Sequence, residues 1–597
     1  MKVRSLLVYF LLCLLSVGLL WHQPAKSQTD HLSVGSGGAV TSENSQATQI
    51  GIDVLRSGGN AVDAAVATAA ALGVVEPFSG GIGGGGFMMI YQPQQKTVIT
   101  LDGREEAPAE ITPDLFRDPD SETGELLSFF PNRMSSGLSV GVPGTPLNWA
   151  TAVERYGNKS LAELLKPAID LAKEGFLVDK TLLRQIKTHQ PRFTAFSSTR
   201  KLYLPQGKLP ALGSRIRNPD LAKTYQLLAD QGINAFYRGK IADAIVKTVQ
   251  NPPVVKEPPF QVWPGRMSAD DLDRYEVHVR PPVESIYRGY RFFGMGLPSS
   301  GGITVAQTLS LLEPYPLGTM PREEALHWLI EAERLAFSDR NRYLGDPEYV
   351  DVPAKGLLND DYIAKRRQML LPKAPANEAN YRAAPGDPLP YQQDPSPSMS
   401  ALPKVTISTD TEGFSTTHLN VIDQDGMAVS YTFTIEATGG SGMVVPGYGF
   451  ILNNELTDFN GLSPHANAPE PGKRPRSSMA PTIVFTPEGD LLCLGTPGGS
   501  TIITTVLGIA VNIIDFGMNL EAAISAPRLS QRNMGKTLVD QGFEETNLGK
   551  RLNQAGHQWT TVDEMGAASV ILREPDGTMI AAAETARRHG GSAMTVK

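Results

Sequence analysis

Two runs of alternating apolar and polar residues, 417–422 and 428–435, flank an Asp425-Gly426 pair. Asp-Gly between such runs is a strong short-range signal for a tight hairpin, and the period of two obliges each run to present one face to a core. A two-residue loop at Asp425-Gly426 sets Gln424 opposite Met427 and, counting back, Thr416 opposite Ile435. Thr434 and Glu436 then flank the Thr416 end, so that two hydroxyls and a carboxylate gather at one end of an antiparallel pair. A longer loop would shift the register but keep the proximity.

The segment before this hairpin, 372–415, is rich in Pro, Ala, Asn, Asp and Ser and contains Asp394-Pro395-Ser396-Pro397-Ser398. Such a composition predicts a flexible linker with too little apolar surface to order itself. It stops at Thr416. A linker that ends at a threonine heading a strand is the arrangement needed if Thr416 becomes a new N-terminus. Its hydroxyl attacks the Ser415 carbonyl, the acyl group shifts from nitrogen to oxygen, and hydrolysis of the ester frees an α-amine. That amine, with a reference pKa of about 8, then acts as base for the neighbouring hydroxyl. A threonine in a strand is more often there for its β-branched shape alone.

The chain of 597 residues is 41% apolar and 19% charged, as a globular enzyme is, and its net charge of -8 gives no reason to expect nucleic acid as a partner. Lys2 and Arg4, an apolar run over 6–21 and Ala25-Lys26-Ser27 predict a secretory signal peptide over 1–27, hence a periplasmic or secreted protein. The alternative is a retained membrane anchor; no later run approaches a membrane span. After signal removal Cys493 alone remains of the cysteines, and its setting between Leu492 and Leu494 predicts a buried, inert thiol. There is no H-E-x-x-H and no pair of C-x-x-C motifs, so no metal or cofactor is expected.

Helical periodicity over 46–55 and 61–75 precedes Ser79-Gly80-Gly81-Ile82-Gly83-Gly84-Gly85-Gly86, which contains a formal G-x-G-x-x-G. A dinucleotide site needs strand before and helix after; here the order is reversed, and the glycines are expected to serve close backbone packing or a pocket wall. A strand over 98–101 ends in Asp102-Gly103-Arg104-Glu105, which makes Arg104 a candidate carboxylate clamp, although such an arginine taken alone is more often a surface ion pair. Gly137-Leu138-Ser139-Val140-Gly141 matches a nucleophile elbow, but Pro143-Gly144 stands where the helix should begin, and the alternation of Leu138, Val140 and Val142 predicts a strand. Helices are expected over 147–171 and 220–249, another apolar one from about Thr304, and an amphipathic one over 325–340. Strands over 482–485 and 491–494 lead into Gly495-Thr496-Pro497-Gly498-Gly499 and an apolar helix over 502–514. Glycines between a strand and a helix present free N–H groups suited to an oxyanion, or simply make a tight turn.

Taken together, Gly81 to Phe87, Asp102-Gly103-Arg104-Glu105, Pro298 to Gly302, Thr416-Thr417-His418, Asn453-Asn454-Glu455, Ser477-Ser478-Met479 and Pro497-Gly498-Gly499 resemble, in order and over the whole mature chain, the γ-glutamyltransferases (glutathione hydrolases). These are self-processing N-terminal nucleophile hydrolases. The resemblance implies a four-layer αββα sandwich with two stacked antiparallel sheets. It implies cleavage between Ser415 and Thr416 into a large chain, 28–415, and a small chain, 416–597, that stay together as a heterodimer. Thr416 would be the nucleophile, Thr434 the hydroxyl that orients it, and Gly498 and Gly499 the oxyanion-hole donors. Arg104, Ser477 and Ser478 would hold the α-carboxylate of a γ-glutamyl group, and Glu455 and Asp458 its ammonium. The substrate would be a small γ-glutamyl amide, with water, an amino acid or a peptide as acceptor. Three features depart from the family pattern: Glu436 where many members have Asn, Asn420 in place of a common Ser, and a short 458–477 segment that implies an uncovered pocket. Glu436 adds a third acid near the ammonium position. Lidless relatives include cephalosporin (glutaryl) acylase-like amidases, the alternative enzyme; an uncleaved exported binding protein using the same pocket is the alternative outside enzymes.

Overall fold

A computed structural model describes residues 31–375, 377–392, 415–461 and 464–597. The expected signal peptide and the linker residues 393–414 lie outside the described residues. The two alternating runs form β1 (Thr417–Asp423) and β2 (Ala428–Thr434). They occupy the middle of a seven-stranded antiparallel sheet, with Gly38–Ser42 and Ser592–Thr595 beyond β1 and Gly85–Gln92, Thr97–Gly103 and His278–Arg280 beyond β2.

The hairpin register departs by one residue from a two-residue loop. Thr417 faces Phe433 and Ile422 faces Ala428. Three residues make the turn: the Asp423 carboxylate accepts the N–H groups of Asp425 and Met427, each at 3.0 Å, and Gly426 takes φ +85°. This is the hairpin whose loop closes on a left-handed glycine, and the aspartate that stabilises it decides the register. Continuing the ladder, Thr434 rather than Ile435 lies across from Thr416.

Leu419, Val421, Val429, Tyr431 and Phe433 point to one side of β1 and β2, into an apolar core shared with α1 (Ala61–Val75). Asn60 caps α1 in a capping box with Asp63, and the helix is apolar all round because it is buried all round. The opposite faces of β1 and β2 meet a second seven-stranded antiparallel sheet, in which β3 (Leu491–Gly495) lies between Thr482–Phe485 and Ser569–Arg573. Beyond that sheet pack α2 (Gly301–Leu312), α3 (Arg322–Tyr343) and α4 (Ile502–Ile514). Helices, sheet, sheet and helices make four layers, the αββα sandwich. Cys493 is buried in β3, and burial pushes its thiol well above the ordinary range.

Between the sheets the contact changes character along the strands. Ile422 and Ala428 join an apolar core at the hairpin end, but towards Thr416 the same face carries Asn420, Ser430, His418 and Thr432. Asn420 Nδ2 donates across the gap to Ser569 Oγ and to the Ser569 carbonyl, both at 3.1 Å. The carbonyl contact orients the amide, so Asn420 Oδ1 accepts from His418 Nε2 at 3.1 Å and Thr432 Oγ1 donates to His418 Nδ1 at 2.8 Å. Asn420 therefore bridges the two sheets beneath the hairpin's open end.

Three other expectations are corrected. Residues 137–139 form a 3₁₀ turn rather than a strand, and the buried Ser139 hydroxyl donates to the Ser136 carbonyl. The alternation there reflects packing of an irregular segment. The helix expected to be amphipathic, α3, buries its charged residues as well: Glu331, Glu333, Arg334, Asp339 and Arg340 are all inaccessible. Their partners explain the third correction, because the described part of the proline-rich stretch is tied down. Glu378 accepts from Arg334 at 2.6 Å and pairs with His557, and the Gly386 N–H donates to Asp339 at 2.7 Å. Hydrogen bonds and ion pairs, together with Tyr381, Ala383 and Tyr391 packed on apolar clusters, order residues 377–392.

Candidate active site

The one-residue register shift brings Thr416 Oγ1 to 3.3 Å from Thr434 Oγ1. Thr434 Oγ1 also accepts the Glu436 N–H at 2.9 Å. The Thr416 hydroxyl lies against the carbonyl of Ser415, while the Thr416 carbonyl accepts from Arg588 Nη1 at 2.8 Å. The backbone at Thr416 stands at φ +156°. A β-branched residue there is strained by about 1–3 kcal/mol. That torsion is defined through the Ser415 carbonyl carbon, so breaking the Ser415–Thr416 bond abolishes it.

Thr416, Ser415, Thr434, Glu436, Arg104, Glu455, Asp458, Ser477, Ser478 and Gly499 line one small cleft, together with Met479 and Ile502. Gly498, predicted with Gly499, is absent from that lining and sits one residue behind it at φ +134°, a conformation open to glycine. The two glycines lead through a 3₁₀ turn into α4.

Arg104 enters at the end of Thr97–Gly103 and is inaccessible to solvent. Its Nη1 donates to Glu455, Nη2 to Asp458 at 2.5 Å, and Nε to the Pro475 carbonyl at 3.1 Å. Burial works against the guanidinium charge, but Glu455, Asp458 and Glu105 outweigh it and hold Arg104 above the usual arginine range. Burial likewise pushes Glu455 well up, and Glu105 up to about 7, with Arg104 opposing both. The three acids and one arginine thus form a neutralising cluster that a zwitterion can enter by exchanging partners.

The two serine hydroxyls line the cleft, and each already accepts one hydrogen bond from behind it. Ser477 Oγ accepts the Met479 N–H at 3.1 Å, and Ser478 Oγ accepts from Arg340 Nη2 at 2.6 Å. Each keeps its own proton for a group in the cleft. Arg340 Nε donates to Ser300 Oγ at 2.8 Å, whose hydroxyl donates to the Ser477 carbonyl at 2.7 Å. The Pro298–Gly302 motif therefore acts by holding Ser477 and Ser478.

Some contributors were not singled out from sequence. Asn453 Nδ2 donates to the carbonyls of Gly83 and Gly141, each at 2.8 Å, and Asn453 Oδ1 accepts the Gly141 and Glu455 N–H groups. This one amide ties the glycine-rich segment to the acids. Asn454 holds the turn after β2, with Nδ2 on Glu436 and Oδ1 on the Ala437 N–H at 3.0 Å. Arg340 and Glu105 lie on buried helix and strand-end positions; only the Glu105 motif and the doubled asparagine carried any signal. The glycines of 83–86 do serve close packing: a Cβ on Gly84 would stand 1.8 Å from the Thr434 carbonyl oxygen.

Stacked antiparallel sheets between helices, with a threonine at the head of a central strand opening into a polar cleft, define an N-terminal nucleophile hydrolase architecture. The gamma-glutamyltranspeptidase family model matches residues 47–595, and the chain belongs to that family. It is 38% identical over 581 residues to a glutathione hydrolase proenzyme of Bacillus subtilis (strain 168), covering 96% of this chain and 95% of that one. It is 35% identical over 563 residues to a glutathione hydrolase proenzyme of Escherichia coli (strain K12), covering 92% and 90%. Among solved structures, a cephalosporin acylase from Bacillus halodurans superposes with a TM-score of 0.80 at 28% identity, covering 97% of this chain and 99% of that one. Among the described residues no helix is long and apolar enough to cross a membrane.

Proposed function

We propose that the chain is an autoprocessed γ-glutamyltransferase/glutathione hydrolase, cleaved between Ser415 and Thr416 into chains 28–415 and 416–597 that remain associated. The observation that carries this reading is Thr416: a strained threonine whose hydroxyl touches the preceding carbonyl, at the edge of a cleft holding one arginine, two serine hydroxyls and several acids. In processing, the hydroxyl attacks the Ser415 carbonyl, the C–N bond breaks, and water releases Ser415 from the resulting ester. The freed α-amine then takes the proton of the Thr416 hydroxyl, with Thr434 orienting that hydroxyl.

In turnover, the α-carboxylate of a γ-glutamyl amide is bound by Arg104 and by the hydroxyls of Ser477 and Ser478. Glu455 and Asp458 release part of Arg104 and receive the ammonium, with Glu436 adding negative charge at the same end. The γ-carbonyl is thereby held at Thr416 Oγ1, and the N–H groups of Gly498 and Gly499 stabilise the oxyanion. The amine leaves, and a γ-glutamyl ester on Thr416 passes to water or to an amino acid or peptide. Export through the 1–27 signal would put the enzyme in the periplasm or outside the cell.

The structural likeness to a cephalosporin acylase supports a second reading, a glutaryl-preferring amidase. A glutaryl group has no ammonium to satisfy Glu455 and Asp458, which favours γ-glutamyl. Release of p-nitroaniline from γ-glutamyl and glutaryl p-nitroanilides distinguishes them: γ-glutamyl turnover is expected to be faster, and the reverse would overturn the ranking. Thr416→Ala is expected to leave one band on a denaturing gel and no turnover; a processed or active variant would remove Thr416 from its role.

A further inference from the structure

We propose that a second cavity, along α4 and separate from the catalytic cleft, binds a small amphiphilic monocarboxylate. The cavity encloses about 230 Å3 and shares no residue with the cleft. Leu326 and Leu329 of α3, Ile509 of α4, and Phe543 and Leu548 supply apolar walls. Walls of this kind accept a hydrocarbon body.

Two features make it more than a packing gap. Gly508 lies in the interior of α4, where glycine costs a helix about 1 kcal/mol relative to alanine. A Cβ there would meet no atom within 4 Å, so no close approach requires the glycine; it leaves the space open. The second feature is Arg322, the half-buried first residue of α3, which also lines the cavity. Its Nη2 donates to Asn512 Oδ1 at 2.7 Å and its guanidinium stacks 3.3 Å from the Phe516 ring centre. Among the described residues no carboxylate pairs with it, and Nε and Nη1 make no hydrogen bond. Burial alone holds its pKa down to about 10. Arg528, across the same cavity, is by contrast neutralised by Glu584 at 2.7 Å. A guanidinium without a carboxylate partner at the edge of a largely apolar space fits an anionic head on an apolar tail, with the carboxylate taking the unused N–H groups.

The test is calorimetric titration of the purified processed protein with octanoate and, separately, with 1-octanol. One site is expected, with octanoate bound about tenfold or more tightly than octanol, the worth of one charge-assisted contact. Arg322→Gln is expected to lower octanoate affinity to the octanol level and leave octanol unchanged. Gly508→Leu is expected to abolish binding of both. Should leucine at 508 prevent folding, Gly508→Ala, which favours the helix, must still weaken octanoate. Absence of a saturable site, equal affinity for the two probes, or full octanoate binding in the position-508 variants would overturn the proposal. Because the cavity and the cleft share no lining residue, p-nitroanilide turnover reports separately on the enzymatic reading.

Discussion

Replacing Thr434 by valine keeps the shape of the side chain and removes one oxygen. That oxygen accepts two donors, the Thr416 hydroxyl at 3.3 Å and the Glu436 N–H at 2.9 Å. The first is long and contributes at the low end of a neutral hydrogen bond, about 0.5 kcal/mol; the second, once orphaned in a buried turn, costs about 1–3 kcal/mol. Thr434→Val should therefore lower unfolding stability by about 2 kcal/mol, measured by urea titration. Its larger effect should be kinetic. If Thr434 orients the nucleophile, its loss removes about 1.4–2.7 kcal/mol of transition-state stabilisation, which is about 10- to 100-fold in rate. Two assays read this: conversion of the precursor band into two bands on denaturing gels, and kcat for γ-glutamyl p-nitroanilide once processing is complete. KM should change little, because Thr434 lies at the Thr416 end of the cleft. Thr434→Ser, which retains the oxygen, should stay within a few-fold of the parent protein. Parental processing and kcat in the valine variant would refute the reasoning.

Arg340→Lys keeps the charge but loses the fork that serves both Ser300 and Ser478, and should raise KM for the γ-glutamyl donor about tenfold with a smaller change in kcat, read from steady-state kinetics. An unchanged KM would mean that the Ser478 hydroxyl does not depend on Arg340. Asn420→Leu removes the bridge between the sheets and orphans the His418 Nε2–H, and should cost about 2–4 kcal/mol in urea unfolding. Burial holds the His418 pKa down to about 3, against 6.5 for an unperturbed histidine. Below pH 6.5 the unfolded chain takes a proton that the folded chain refuses, so this contribution to stability is complete above 6.5 and lost as pH falls towards 3. His418→Gln should accordingly flatten the decline in urea midpoint across that window; an unaltered slope would assign the acid sensitivity elsewhere.

Much of the architecture was legible because its causes are local. The capped alanine-rich helix, the alternating runs and the glycine-to-helix transition before Ile502 each follow from short-range periodicity and turn chemistry. Failures came where burial and distant partners override local pattern. The buried charged residues of α3 read as a solvent face, and the polar stretch around Glu378 read as a linker, because the residues that neutralise them are far away in sequence.

By itself the sequence determined that a threonine heads a central strand, that its neighbours in the chain include a glycine turn and an Arg-Glu strand end, and that these motifs occur in a recognisable order. The hairpin register emerged only in the structure, although its cause is local: three residues rather than two close the turn once Asp423 accepts two N–H groups. Tertiary structure alone decided that Arg104 pairs with Glu455 and Asp458, and that Arg340 and Asn453 hold the cleft from behind. The contacts of Arg104, Arg340 and Asn453 join residues more than a hundred positions apart, and no periodicity within one segment records which distant side chain will fill the space beside it.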